Sequence, residues 1–173
     1  MSGKLRIGII GCGDFLRLRA ADLLSSRQVE VKLLYSPVNS ANAERYAEIF
    51  GAKAADSPEA IINDPEIDVV CVFVPPFVRK EYVLAAAKAG KQIVATKPLA
   101  ADLSDAREMT EAVEQAGVRC GVIYRRTNNP VIEAYKEIFS GGEFGKLALY
   151  KQDWLHHYPT WNRWATDPKK MVA

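Results

Sequence analysis

From the start of the chain to about Tyr124, short runs of β-branched and aliphatic residues alternate with longer stretches in which apolar residues recur at helical spacing. The apolar runs are Leu5 to Ile10, Val29 to Tyr35, Asp68 to Val74, Gln92 to Ala95 and Arg119 to Tyr124. Each has the length of a strand, and the alternation with helices is that of a parallel sheet covered on both faces. A short extended piece near Ala52 to Ala54 adds another strand. The intervening stretches carry helix-end signals: Ser57-Pro58 is a cap followed by a first-turn proline, and Gly51, Gly90 and Gly117 are terminating glycines. Repeated strand-helix-strand units predict an α/β fold with a doubly wound parallel sheet. Such crossovers are right-handed and ligands sit outside the carboxyl ends of the strands, so every loop that follows a strand is a candidate site.

The pattern changes after Tyr124. Asn129-Pro130 opens a helix that runs to about Phe139, Ser140-Gly141-Gly142 breaks it, and Lys146 to Tyr158 reads as one long strand. Pro159 to Ala173 shows no clear period. A helix and one strand cannot bury both of their faces alone. The expectation is therefore a complete sheet domain over residues 1–124, followed over residues 125–173 by the beginning of a truncated α+β second domain. The strand 146–158, with Leu147, Leu149, Trp154 and Leu155, would present an open edge and an apolar face, which predicts a homo-oligomer through it.

Composition narrows the partners. A net charge of +2 on 173 residues, with 25% charged residues, points to neither nucleic acid nor a membrane surface. Cys12, Cys71 and Cys120 are odd in number, lack C-x-x-C spacing and lie in or beside apolar runs, so reduced, buried thiols are expected and no metal site. With no signal-peptide pattern and no apolar stretch of bilayer length, the reading is a soluble, cytoplasmic protein.

The candidate chemistry lies in four loops. Gly11-Cys12-Gly13 follows the apolar Ile7-Gly8-Ile9-Ile10 and precedes a helix that starts at Asp14. Strand, glycine turn and helix N-terminus together can receive a pyrophosphate, with Gly11, Gly13, Asp14, Phe15 and Leu16 around it. Read alone, the two glycines fit a tight turn equally well, and Leu16 takes the place of the third glycine of the G-x-G-x-x-G pattern. Arg17 and Arg19 read better as a solvated helix face than as phosphate ligands. The second loop begins at Ser36, where NAD-binding folds place a carboxylate for the ribose hydroxyls. Serine does not repel a 2'-phosphate, and Asn39, Ser40 and Arg45 lie near the same corner, so NADP is favoured over NAD. Val74-Pro75-Pro76-Phe77 forms the third loop, whose two prolines end strand pairing and make a rigid floor. Thr96-Lys97-Pro98 forms the fourth, where a lysine at a strand's carboxyl end can donate to hydroxyls or share in proton transfer.

Taken together, these residues resemble the glucose-fructose oxidoreductase, inositol dehydrogenase and rhizopine-catabolism (Gfo/Idh/MocA) family. Gly8-Ile9-Ile10-Gly11-Cys12-Gly13, Ala87-Lys88-Ala89-Gly90-Lys91, Thr96-Lys97-Pro98-Leu99-Ala100, Ala106-Arg107-Glu108-Met109 and the Tyr124-Arg125-Arg126 to Asn129-Pro130 segment carry the resemblance. It implies a Rossmann-type domain and a nicotinamide-dependent oxidoreductase acting on a sugar, inositol or related polyol. It also implies that Lys97, matching the lysine of a Glu-Lys-Pro motif, contacts the nicotinamide ribose and the substrate as the catalytic residue. Thr96 stands where the family usually has glutamate, Arg79 where histidine is common, Leu16 where a small residue is usual and Ser36 where an acid is frequent. A second reading, a catalytically silent nucleotide-binding or regulatory protein of the same fold, rests on Leu16, Thr96 and Arg79. A site for S-adenosylmethionine is disfavoured because Lys97-Pro98 would have no role in it. His156 and His157 receive no catalytic role, while Trp161 and Arg163 are further candidate contacts near the cofactor.

Overall fold

A computed structural model describes residues 3–124, 129–146, 148, 149, 151 and 153 of the chain. Six strands form one sheet in the order β3-β2-β1-β4-β5-β6: β1 Leu5–Ile10, β2 Val29–Tyr35, β3 Lys53–Ala54, β4 Val69–Val72, β5 Gln92–Thr96 and β6 Cys120–Ile123. All pairings are parallel. Outward growth from β1, first to β2 and β3 and then back past β1 to β4, β5 and β6, is the doubly wound Rossmann arrangement, with its switch point between β1 and β4.

Two hydrophobic clusters show why β1 from Ile7 onward and β4 carry no polar alternation. Ile10, Val70 and Val72 contribute to one cluster, with Ile61 and Ile62 of α3 (Pro58–Ile62), Val83, Ala86 and Ala87 of α4 (Lys80–Lys88) and Met109 of α5 (Leu103–Ala116). Ile7, Ile9, Val69 and Cys71 contribute to the other, with Leu16 of α1 (Asp14–Ser25) and Ala43, Tyr46 and Ala47 of α2 (Ser40–Phe50). Successive strand residues point to opposite faces, so both faces need apolar side chains when helices cover both. Fully burying a side chain such as Ile61 or Leu16 is worth roughly 1.5–3 kcal/mol.

The expected helix ends are present. The Ser57 hydroxyl accepts from the Ala60 amide at 3.3 Å, and Gly51 and Gly117 close α2 and α5 in the left-handed conformation. β4 is shorter than the expected Asp68 to Val74. At its start the Asp68 carboxylate accepts from the Arg6 amide at 2.8 Å, and at its end the Val74 carbonyl turns to a side chain described below. β6, paired on one side only, is likewise shorter than Arg119 to Tyr124, whereas β5 continues one residue further, to Thr96, which pairs with Ile123.

The described residues fall into two compact units, one reaching Ile123 and one starting at Tyr124. In the second, Asn129 caps α6 (Pro130–Ser140) by accepting from the Val131 amide at 2.9 Å, and Pro130 fills the first turn. Val131, Tyr135, Ile138 and Phe139 are exposed on α6. Of the strand expected over 146–158, Lys146, Ala148, Leu149, Lys151 and Asp153 are described and none is in a strand. Its remaining residues lie outside the described residues, as do His156, His157, Trp161 and Arg163. Among the described residues, no helix is long and apolar enough to cross a membrane.

Candidate functional site

The register of the sheet aligns the strand ends. Ile10 of β1 stands opposite Tyr35 of β2 and Val72 of β4, and Val72 stands opposite Ala95 of β5. Three strand spacings, about 14 Å, therefore separate the start of the Ser36 loop from the start of the Lys97 loop. The glycine loop and the Val74 loop leave from the same row between them. All four candidate loops open along one edge of the sheet.

Gly11 has φ +110°, and its amide donates to the Tyr35 carbonyl at 2.8 Å. A β-carbon there would lie 2.7 Å from the Phe73 carbonyl carbon, so the main chain leaving β4 excludes every other residue type. Gly11 is thus demanded by the contact between two strand ends, whether or not its main chain also meets a ligand. Gly13 differs. A β-carbon at Gly13 would meet nothing within 4 Å, and no side chain caps the N-terminus of α1. Open space in front of uncapped first-turn amides, at the positive end of a helix, fits a pyrophosphate.

The other predicted residues divide by exposure. Asp14 is half-buried and pairs with Arg17 at 3.3 Å, while Arg19 pairs with Asp22 at 2.9 Å, so both arginines belong to the solvated face of α1. Phe15 packs edge-on against Phe73, with ring centroids 4.8 Å apart. The Leu16 and Val74 side chains are buried in the hydrophobic clusters, which leaves their main chains to meet a ligand. Ser36 is half-buried just beyond Tyr35. The Asn39 side chain is already engaged as the cap of α2, accepting from Ala41 at 3.1 Å, and the Arg45 guanidinium lies 5.9 Å from the centroid of the Tyr46 ring. Pro75 and Pro98 are half-buried, the Lys97–Pro98 peptide is cis, and Lys97 is exposed.

Thr96 is buried, and its hydroxyl is turned inward to accept from Arg79 Nη2 at 2.6 Å. Arg79 itself is 1% exposed. Its Nη1 donates to the carbonyls of Thr96 at 2.5 Å, of Leu99 at 3.1 Å and of Pro98, and its Nη2 also donates to the Val74 carbonyl at 2.6 Å. Burial holds its pKa down at about 10, so it is charged at neutral pH. In the amino-acid sequence Arg79 stands out as a departure from a family pattern. The available signal is its spacing: Arg79, Val83, Ala86 and Ala87 lie at i, i+4, i+7 and i+8, an arginine on the stripe that faces the core.

Cys12, Cys71 and Cys120 are free thiols, the first two buried and Cys120, contrary to expectation, half-buried. Burial pushes Cys12 and Cys71 up to about 12, so both stay protonated and neither is a nucleophile. Among the described residues, no group of three or more His, Cys, Asp or Glu side chains is placed to hold a metal ion.

The model of the GFO/IDH/MocA oxidoreductase family, with an NAD-binding Rossmann fold, matches residues 5–124. The chain belongs to the Gfo/Idh/MocA family. It is 29% identical over 152 residues to scyllo-inositol 2-dehydrogenase (NAD(+)) of Bacillus subtilis, covering 87% of this chain and 44% of that protein. It is 31% identical over 145 residues to myo-inositol 2-dehydrogenase of Thermotoga maritima, covering 82% of this chain and 42% of the relative. Among solved structures, a 3-ketoreductase from Actinomadura kijaniata in complex with NADP superposes with a TM-score of 0.75 at 26% identity, over 83% of this chain and 46% of the enzyme. The chain thus spans less than half the length of these Gfo/Idh/MocA relatives. The family match covers all four strand-end loops.

Proposed function

We propose that this chain is the nucleotide-binding portion of an oxidoreductase that passes hydride between a nicotinamide cofactor, NADP in preference to NAD, and a sugar, inositol or related polyol. The observation that carries this reading is the alignment of four strand ends around an uncapped helix N-terminus with open space at Gly13. Phosphates are received by the first-turn amides of α1. The adenosine ribose meets Ser36, which brings no negative charge against a 2'-phosphate. Val74 and Pro75 form the floor, and Lys97 and Pro98 close the nicotinamide end.

When bound, the nicotinamide supplies the hydride chemistry. The Lys97 ammonium, exposed beside the buried Thr96, donates hydrogen bonds to the nicotinamide ribose and to the carbinol oxygen of the substrate, holding both in place. The polyol class is supported by the inositol dehydrogenases and the 3-ketoreductase to which the chain is similar. Residues 1–124 form the dinucleotide domain and residues 125–173 begin the part that meets substrate and, through residues 146–158, a second copy. Free thiols at Cys12, Cys71 and Cys120 support a reducing, cytoplasmic location.

Fluorescence titration with NADPH and NADH tests the reading. Saturable binding of NADPH, tighter than that of NADH, is the expected result. No binding of either nucleotide at millimolar concentration would overturn it.

A further inference from the structure

We propose that Arg79 is a positioning residue for Lys97: a buried guanidinium that clamps the main chain on both sides of the lysine and so sets the direction in which the ammonium leaves the loop. This deepens the reading above and rests on it for the role of Lys97.

Among the described residues, the acceptors of Arg79 lie at or just beyond a strand's carboxyl end. One is the Val74 carbonyl, just beyond β4. The others are the Thr96 carbonyl and hydroxyl before Lys97, and the Pro98 and Leu99 carbonyls after it. Within Thr96 to Leu99, Lys97 is the residue whose carbonyl the guanidinium leaves alone, and its side chain is exposed while Thr96 and Arg79 are buried. The Thr96 carbonyl lies in the peptide plane that enters Lys97 and the Pro98 carbonyl in the plane one residue further on, so turning both to one cation anchors the main chain on either side of Lys97 and narrows the directions open to its Cα–Cβ bond.

The chemistry of the clamp requires arginine. A planar guanidinium presents N–H groups along fixed directions and can gather acceptors from two loops, whereas a lysine ammonium brings the charge without the fork. Among the described residues no carboxylate lies within 4.0 Å of Arg79, so the main-chain carbonyls supply the negative ends of its hydrogen bonds. Nε is buried without a partner, so the clamp works through Nη1 and Nη2 alone. A cation buried only for stability would be expected to have a carboxylate partner. This one is spent on the loop that carries Lys97.

The test uses the full chain, with its lysines reductively methylated with a 13C label and the Lys97 resonance assigned by its loss in Lys97→Arg. In Arg79→Lys and in the milder Thr96→Val, the Lys97 resonance is expected to move while those of Lys32 and Lys53, on the far side of the sheet, stay in place. NADPH titrations supply the second arm: Arg79→Lys is expected to weaken binding at least fivefold, and Lys97→Ala to cost a similar factor in the native background but less than twofold in Arg79→Lys. An unmoved Lys97 resonance in folded variants, or costs that simply multiply, would overturn the proposal. Thr96→Val keeps the test open should Arg79→Lys fail to fold. Absence of NADPH binding by the native chain would refute the proposed function, while the resonance arm would still decide whether the clamp sets Lys97.

Discussion

The Ile61 side chain of α3 occupies the space that a β-carbon on Gly8 would need: its Cγ2 lies 2.2 Å from that position. The pairing of β1 with β2 shifts register between Ile7 and Gly8, so the strand meets the helix at an irregular point. Replacing Gly8 by alanine should overpack this contact and lower stability by about 1–3 kcal/mol in urea unfolding. Ile61→Ala removes the Cγ2 that blocks it, and combined with Gly8→Ala should cost less than the sum of the two single changes.

Gly11 and Gly13 should separate stability from binding. Gly11→Ala places a β-carbon against the Phe73 main chain at a positive φ, and thermal unfolding should show a large loss. Gly13→Ala meets open space, so its stability should change by no more than about 1 kcal/mol. If the proposed function holds, the same variant should bind NADPH roughly tenfold or more weakly, because the new methyl group would stand in the path proposed for the phosphates.

Under the proposed function, Ser36 carries the preference between the two nucleotides. Ser36→Asp would set a carboxylate against a 2'-phosphate and offer acceptors to free ribose hydroxyls. NADPH affinity should fall roughly tenfold or more, and NADH affinity should hold or rise. Equal changes for both nucleotides in parallel titrations would place the adenosine ribose elsewhere.

Arg6 grips Asp68 at the start of β4, with Nη2 to Oδ1 at 2.9 Å and Nε to Oδ2 at 3.1 Å. Hydrogen bonds from the Arg6 side chain and amide hold the Asp68 carboxyl down at about 2, against its ordinary 3.8. Because the folded-state value lies below the unfolded one, the stabilisation is complete above about pH 4 and disappears as pH falls towards about 2. Asp68→Asn should therefore be less stable than the native chain at neutral pH. That difference should shrink through the same acid window and vanish below it, as chemical unfolding at a series of pH values would show.

Self-association is expected through residues 146–158. Light scattering should show a dimer or larger species, reduced when Leu149, 82% exposed, is replaced by Glu. A clean monomer over the micromolar range would set that expectation aside.

Local chemistry made much of the first unit readable in the amino-acid sequence. The strands at Leu5, Val29 and Gln92 start at the expected residues because an apolar run of strand length between two helices has few alternatives. Ser57, Asn129, Gly51 and Gly117 act on neighbours within a few positions, so their roles as helix ends could be read without a fold. The loops follow from the strands, and strand ends are where ligands meet such sheets.

The sequence by itself determined the βαβ rhythm, the caps and the set of strand-end loops, because each depends on residues close together along the chain. Only the tertiary structure decided which glycine is demanded by a neighbouring strand and which one faces open space. It also turned Leu16, Val74 and the Thr96 hydroxyl inward, and brought Arg79 to carbonyls up to 20 positions away. Those outcomes depend on which strands become neighbours and how helices settle on them, and contacts between distant segments leave no period or motif in the chain.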